Sequence, residues 1–151
     1  MTETDKRYYL DFPFVGVGVV VWKDDEFLLI RRGKEPMKGA WSIPGGRQNL
    51  GETVKEAAIR EIREETGLDI DIIGLVDVID SIRKDDNGVV AWHATLIDYA
   101  ARHVAGEAVA GDDALSVGWF ALEDLQELGL WDETERIIRA SAQISEALTP
   151  T

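Results

Sequence analysis

Glu61, Glu64 and Glu65 stand close together in the stretch from Gly45 to Leu68, GGRQNLGETVKEAAIREIREETGL. Carboxylates on one partly buried face repel one another and resist desolvation, so they must take up protons or gather cations. Hard divalent cations such as Mg2+ favour carboxylate and carbonyl oxygens. The chemistry open to such a cluster is therefore metal-assisted. The chain has no cysteine, which excludes a disulfide or a zinc–thiolate site. Its two histidines, His93 and His103, make a poor zinc site on their own.

The element that must position these groups is a helix with well-marked ends. Thr53 followed three residues later by Glu56 is a capping-box pattern, and Gly67 stands where a helix stops. No proline or glycine interrupts the interval, and most of its residues are good helix formers. With Glu61 at zero, helical periodicity puts Val54 near about +20°, Ala58 near +60°, Ile62 near +100° and Ala57 near −40°. By the same rough measure Glu65 falls near about +40° and Glu64 near −60°, so the carboxylates continue the apolar stripe. Lys55, Glu56 and Arg63 lie opposite, as solvated residues should. A helix end that merely emerges into water would look the same from this geometry alone.

The spacing adds a second signal. Gly46, five residues, Glu52, seven residues, Arg60-Glu61-Ile62, one residue, Glu64-Glu65, one residue and Gly67-Leu68 match the pattern G-x5-E-x7-R-E-U-x-E-E-x-G-U at every defined position, U being aliphatic. With average residue frequencies a chance match arises on the order of once in 10^9 starting positions. This is the Nudix box, and the chain resembles the Nudix hydrolases. The resemblance implies that Glu61, Glu64 and Glu65 bind divalent metal, Mg2+ with Mn2+ as a substitute, joined by the Gly45 carbonyl. It implies that Arg60 orients the cluster through ion pairs with Glu52 and Glu64. Gly46 and Gly67 would set backbone turns, and Ile62 and Leu68 would pack inward.

Members of that family hydrolyse a diphosphate linked to another moiety. A further carboxylate from a later loop often completes the site or acts as base; Asp113 or Asp112 is the candidate, with Glu107 in reserve. The base could equally be Glu64 or Glu65. Beside the box, Arg31, Arg32, Lys34, Lys38 and Arg47 form a basic cluster. It is either a phosphate-binding edge, with Arg31, Arg32 and Arg47 as substrate contacts, or a solvated loop; its position favours the first.

At 151 residues and 45% hydrophobic, the chain is long enough for one compact domain, residues 1–151, and short for two. Its formal charge of −13 argues against nucleic-acid binding, which needs a basic footprint. The longest apolar run, around Phe14 to Trp22, is too short for a membrane span, and MTETDKRYYL lacks the order of a signal peptide. A soluble cytoplasmic protein is the expectation, and a homodimer stays open because dimers are frequent among relatives.

In chain order, Tyr8, Tyr9 and Phe12 follow a polar start and read as packing residues, with base stacking as the alternative. Val15 to Trp22 reads as a buried strand, 23–26 as a hairpin turn and Phe27 to Arg31 as the return. Residues 33–40 read as a loop, Trp41-Ser42-Ile43 as a short strand and Pro44-Gly45-Gly46 as a turn. After the helix, Ile70 to Ile82 and Val89 to Tyr99 read as strands joined at Asn87-Gly88. Arg102 to Ala114 reads as a loop, Ser116 to Phe120 as a strand, Leu122 to Leu128 as a short helix and 131–148 as containing the last helix. His93 reads as an ordinary strand histidine, with substrate contact as its alternative. This order fits an α+β class: a mixed sheet between helices, an α/β/α sandwich, as in the Nudix fold.

Side motifs bear on substrate. A tryptophan- and proline-rich motif of the NADH-cleaving branch is missing, as are the downstream proline of the ADP-ribose branch and the tyrosine of the dinucleoside polyphosphate enzymes. A coenzyme A signature is not visible. The overall pattern most resembles the small bacterial enzymes grouped with ADP-ribose pyrophosphatases, so a nucleoside diphosphate derivative such as ADP-ribose is the expected partner. A nucleoside triphosphate pyrophosphatase is the close alternative. A nucleotide-sensing module without turnover is a third reading, disfavoured by the intact box.

Overall fold

Valines in a run bounded by turns form strand β1, Phe14–Lys23. Val17, Val19 and Val21 face one side of the sheet, while Val20 and Trp22 face the other. Both sides are covered, which is why the run is apolar without a break. A computed structural model describes residues 5–35 and 37–148. The first four residues of the expected tail, Pro36 of the expected loop and residues 149–151 lie outside the described residues.

A two-residue turn returns β1 into β2, Glu26–Arg32, with Trp22 opposite Phe27. Then come β3, Trp41–Ser42, and β4, Gly45–Arg47. The helix α1, Val54–Thr66, is followed by the long strands β5, Asp69–Lys84, and β6, Val90–Ala105. Strand β7, Ala114–Phe120, a short 3-10 turn at Leu122–Asp124, α2, Leu125–Leu128, and α3, Asp132–Leu148, complete the described chain.

The seven strands form one sheet in the order β3-β2-β1-β6-β5, with β4 also paired to β1 and β7 to β2. Strand β6 runs parallel to β1, and the other pairings are antiparallel, so the sheet is mixed. Ala57, Ala58 and Ile62 of α1 pack on Val17, Val19, Val21 and Tyr99 on one face. On the other face Ile137, Ile138 and Ala142 of α3 pack on Val20, Leu29 and Ile79. Burial of each such side chain contributes roughly 1.5–3 kcal/mol, so two separate cores fasten the helices to opposite sides of one sheet. This is the expected α+β sandwich. No described helix is long and apolar enough to cross a membrane.

Local expectations differ from the structure in several places: Ile43, read as strand, lies outside β3, and Ala114, read as loop, begins β7. Gly45 and Gly46, read with Pro44 as a turn, lie in a strand, Gly45–Arg47: Gly45 pairs with Gly18 and Arg47 with Gly16. Glycines carry no strand propensity, but the pairing satisfies backbone groups that would otherwise be buried unmade. Residues 102–105, read as the start of the loop Arg102 to Ala114, continue β6 opposite Asp69, Ile70 and Asp71. The neighbouring strand, rather than local polarity, fixes their backbone.

Candidate active site

Helix α1 begins where the capping pattern puts it. The Thr53 hydroxyl accepts from the Glu56 N–H at 3.1 Å, and Gly67 closes the helix at φ 76°, donating to the Arg63 carbonyl. A side chain at Gly67 would be strained in that left-handed conformation. The helix buries Ala57, Ala58 and Ile62, which rotates its carboxylates toward the β4 edge in graded fashion. The Glu61 side chain keeps 15% of its exposure and Glu64 keeps 61%, with Glu65 between solvent and core.

Arg60 organises this edge. Its Nε and Nη2 donate to the two Glu52 oxygens at 3.0 and 2.6 Å, a forked pairing that fixes the guanidinium plane. Nη1 donates to Glu61 at 2.7 Å and to Glu64 at 3.1 Å, and Nη2 also to the Arg47 carbonyl at 3.0 Å. Glu52 lies below the usual carboxylate range because Arg60 is bonded to it, and Arg60 is raised in turn. The Glu61 carboxylate lies against the Gly46 backbone so closely that a Cβ there would collide with it. Gly45 offers its N–H to Glu65 at 3.0 Å.

The loop after β6 is carried to the same place by backbone bonds to the end of α1. Gly111 N–H donates to the Glu65 carbonyl at 2.8 Å and Val109 N–H to the Thr66 carbonyl at 2.9 Å. This brings Asp112 and Asp113 to the helix, and Glu61, Glu64, Glu65, Asp112 and Asp113 line one recess of about 320 Å³. A second recess of about 330 Å³, bordered by Trp22, Leu122 and Ala142, also carries carboxylates, Asp24, Asp25, Glu123 and Glu146, but none of them belongs to α1 or its sequence motif. Burial, with Glu61 and Asp113 nearby, pushes Glu65 up to about 7 against the pull of the Gly45 N–H and Arg32. Burial also raises Glu61, opposed by Arg60.

Among the described residues no three such side chains already converge on one point as a formed metal cage. Arg60 Nη1 stands at Glu61 and Glu64, while Glu65 turns to Gly45. The donor set is nevertheless all oxygen and several-fold anionic, the chemistry that suits Mg2+. A carboxylate kept protonated up to about pH 7 by burial and like charges is one that a cation would return to its ionised form. The residues fit the metal by donor type and charge.

The other expected contacts separate. Arg32 lies near enough to feel the Glu65 charge, whereas Arg31 is exposed and donates to the Gly39 carbonyl at 2.9 Å. Arg47 is exposed, with its guanidinium 5.5 Å from the Phe14 ring. Lys34 pairs with Asp113 at 2.8 Å. Glu107 is exposed and does not line the recess; only its carbonyl comes near Gly67. Ile62 and Leu68 are buried in the α1-side core. His93 pairs with Ile82 in the sheet. Trp41 packs edge-on to Phe120 at 5.0 Å, in the same core as Ile43. Sequence reasoning missed the Gly111 tether and the Lys34–Asp113 pair, for which local spacing holds no signal.

A NUDIX domain model matches residues 13–141. The chain is 40% identical over 133 residues to an ADP-ribose pyrophosphatase of Methanocaldococcus jannaschii, covering 88% of this chain and 75% of that protein. Among solved structures, a MutT NUDIX hydrolase from Burkholderia pseudomallei is similar at 33% identity and a TM-score of 0.74, over 86% of this chain and 98% of that one. The NUDIX domain of Shewanella oneidensis NrtR, complexed with ADP ribose, shares the fold at 21% identity and a TM-score of 0.70, over 99% of this chain and 100% of that one.

Proposed function

The chain belongs to the Nudix hydrolase family, and from that premise we propose that it cleaves the diphosphate of a nucleoside diphosphate linked to another moiety, with ADP-ribose the favoured substrate. The observation that carries this reading is the recess in which Glu61, Glu64, Glu65, Asp112 and Asp113 face one another beside the Arg60 network. The similarity to an ADP-ribose pyrophosphatase supports the choice of substrate. The reading takes residues 1–151 as one domain acting in the cytoplasm.

Glu61, Glu64 and Glu65, with the Gly45 carbonyl, would hold Mg2+. Bound there, the ion supplies charge neutralisation on the phosphoryl oxygens and acidifies a water molecule. Arg60 keeps Glu61 and Glu64 aimed by bonding both while anchored on Glu52. A carboxylate of the same recess takes the proton of the attacking water, and Asp113, held by Lys34, closes its rim. Water adds to one phosphorus and the bridging oxygen leaves with the other, giving two phosphate monoesters; from ADP-ribose these are AMP and ribose 5-phosphate.

The test is a hydrolysis screen with and without Mg2+ over ADP-ribose, NADH, dinucleoside polyphosphates and nucleoside triphosphates, with Glu65→Gln beside the wild type. Turnover of ADP-ribose that needs Mg2+ and falls about 10²–10⁴-fold in the variant is the expected result. Turnover of the triphosphates alone would replace the substrate. Binding of nucleotide without cleavage of its diphosphate would replace the activity by a sensing role.

A further inference from the structure

Two glycines outside the sequence motif stand where only a missing side chain lets one backbone pass another. Gly111 lies against the end of α1. A Cβ there would come within 2.7 Å of the Glu64 carbonyl oxygen, 3.0 Å of the Glu65 carbonyl oxygen and 3.1 Å of the Glu65 Cα. Gly33, the residue after β2, lies against the same loop, where a Cβ would come within 2.8 Å of the Asp113 carbonyl oxygen. The atoms met are backbone in every case and cannot swing aside as the tip of a side chain would. Neither residue has a positive φ, so the glycines serve here for space and not for conformational freedom.

Asp112 and Asp113 are held between these contacts. They are the central residues of a turn closed by the Ala114 N–H on the Gly111 carbonyl at 3.2 Å. The Gly111 N–H bonds the Glu65 carbonyl at 2.8 Å, and the Gly33 N–H bonds the Asp113 carbonyl at 3.0 Å. Lys34, next in the chain, takes the Asp113 carboxylate at 2.8 Å. The turn is thus pinned to two elements, the end of α1 and the end of β2. Core packing does not account for so close an approach, because Asp112 and Asp113 remain exposed. Its effect is to add two negative charges to the three of Glu61, Glu64 and Glu65 around one recess, in a chain whose formal charge is already −13. Like charges gathered in this way cost energy unless a cation joins them.

We propose that Gly33 and Gly111 are positioning residues that set how close Asp112 and Asp113 stand to the α1 carboxylates, and with it how tightly the recess holds a divalent cation. The inference rests on the diphosphate hydrolase reading for its use in turnover, but not for the cation binding itself. Alanine at 111 forces the turn and the helix end apart by about 0.7 Å, the shortfall of 2.7 Å from an ordinary contact of 3.4 Å, and alanine at 33 forces the turn from β2 by about 0.6 Å. Both displacements act on the same two carboxylates from different elements.

The experiment separates positioning from a merely structural role. Mn2+ is titrated into the full chain without substrate, and free Mn2+ is read by EPR. The proteins are the wild type, Gly111→Ala, Gly33→Ala, the double variant Asp112→Asn with Asp113→Asn, and each glycine variant in that double background. Urea unfolding establishes that each is folded. Expected is Mn2+ affinity about tenfold weaker in each glycine variant and in the double variant. Adding Gly111→Ala to the double variant then costs nothing more, because a residue that acts through two carboxylates has nothing left to act on. Should Gly111→Ala not fold, Gly33→Ala, which touches a different element, carries the same cycle. Gly74→Ala, whose Cβ would stand at an ordinary 3.5 Å from Ile144, leaves the affinity unchanged. On whichever substrate the wild type turns over, Gly111→Ala lowers kcat about 10–100-fold. Wild-type Mn2+ affinity in the folded glycine variants, or the same loss with and without the two aspartates, overturns the proposal. Coupled losses of affinity in a chain that hydrolyses none of the screened substrates remove the hydrolase reading and leave the positioning role.

Discussion

At the scale of single residues, Arg60 matters more than its place outside the recess suggests. One planar group bonds Glu52 with two nitrogens and still reaches Glu61 and Glu64. A lysine carries the same charge but only one nitrogen, and it cannot hold three carboxylates in fixed directions. Arg60→Lys is therefore expected to leave the fold intact and to lower kcat/KM about 10–100-fold, the usual effect of losing a group that orients metal-binding side chains. The Mg2+ concentration needed for half-maximal rate should rise with it, which separates positioning from a merely structural role. An unchanged Mg2+ dependence in a folded Arg60→Lys protein would remove Arg60 from that function. Gly46 makes the complementary case. Because its missing side chain is the space the Glu61 carboxylate occupies, Gly46→Ala should displace that carboxylate and reduce activity about 10²-fold while unfolding stays cooperative.

At the scale of elements, α1 was legible in advance because its signals are local: Thr53 and Gly67 at its ends and a stripe from Val54 to Glu65 between them. Thr53→Ala should cost about 1 kcal/mol of stability, measured by urea unfolding, since one N–H at the helix start loses its acceptor. The identity of the acidic cluster was legible for the same reason, its spacing being set by one helix. What escaped was fixed across the fold. The Asp112–Asp113 loop reaches α1 through backbone bonds from Val109 and Gly111, which no side-chain pattern announces. Strand β4 exists because β1 lies beside it, and β6 runs to Ala105 because β5 does. Of the three aromatic residues expected to pack near the start of the chain, Tyr8 does, against Trp92 84 positions along, a contact that periodicity cannot supply, whereas Tyr9 and Phe12 are exposed.

At the scale of the whole molecule, the layer between the sheet and α3 holds a carboxyl group where apolar side chains are the rule. Asp98 lies on β6 beside Gly18 of β1 and opposite Asp77 of β5, and is 5% exposed. Burial first, then Asp77 and Glu133, push it from 3.8 to about 7, with Arg136 pulling the other way. The unfolded chain loses this proton near the ordinary value while the folded chain keeps it to about 7, so in that window the folded state binds more protons. Stability must then fall as pH rises from about 4 to 7, and the full cost, up to about 4 kcal/mol, is present above it. Below the window both states are protonated and the group contributes nothing. Glu65 and Glu61 add slopes of the same sign, so the informative quantity is a difference between two proteins. Urea unfolding at pH 5 and pH 8 should show the wild type losing stability over this interval and Asp98→Asn losing less of it, by as much as the Asp98 contribution. The amide keeps the shape of the acid but does not ionise, so a lower overall stability of the variant would not disturb the comparison. Equal slopes in the two proteins would mean that Asp98 ionises in the folded state as easily as in water, and the sandwich would then owe none of its pH dependence to the α3 layer.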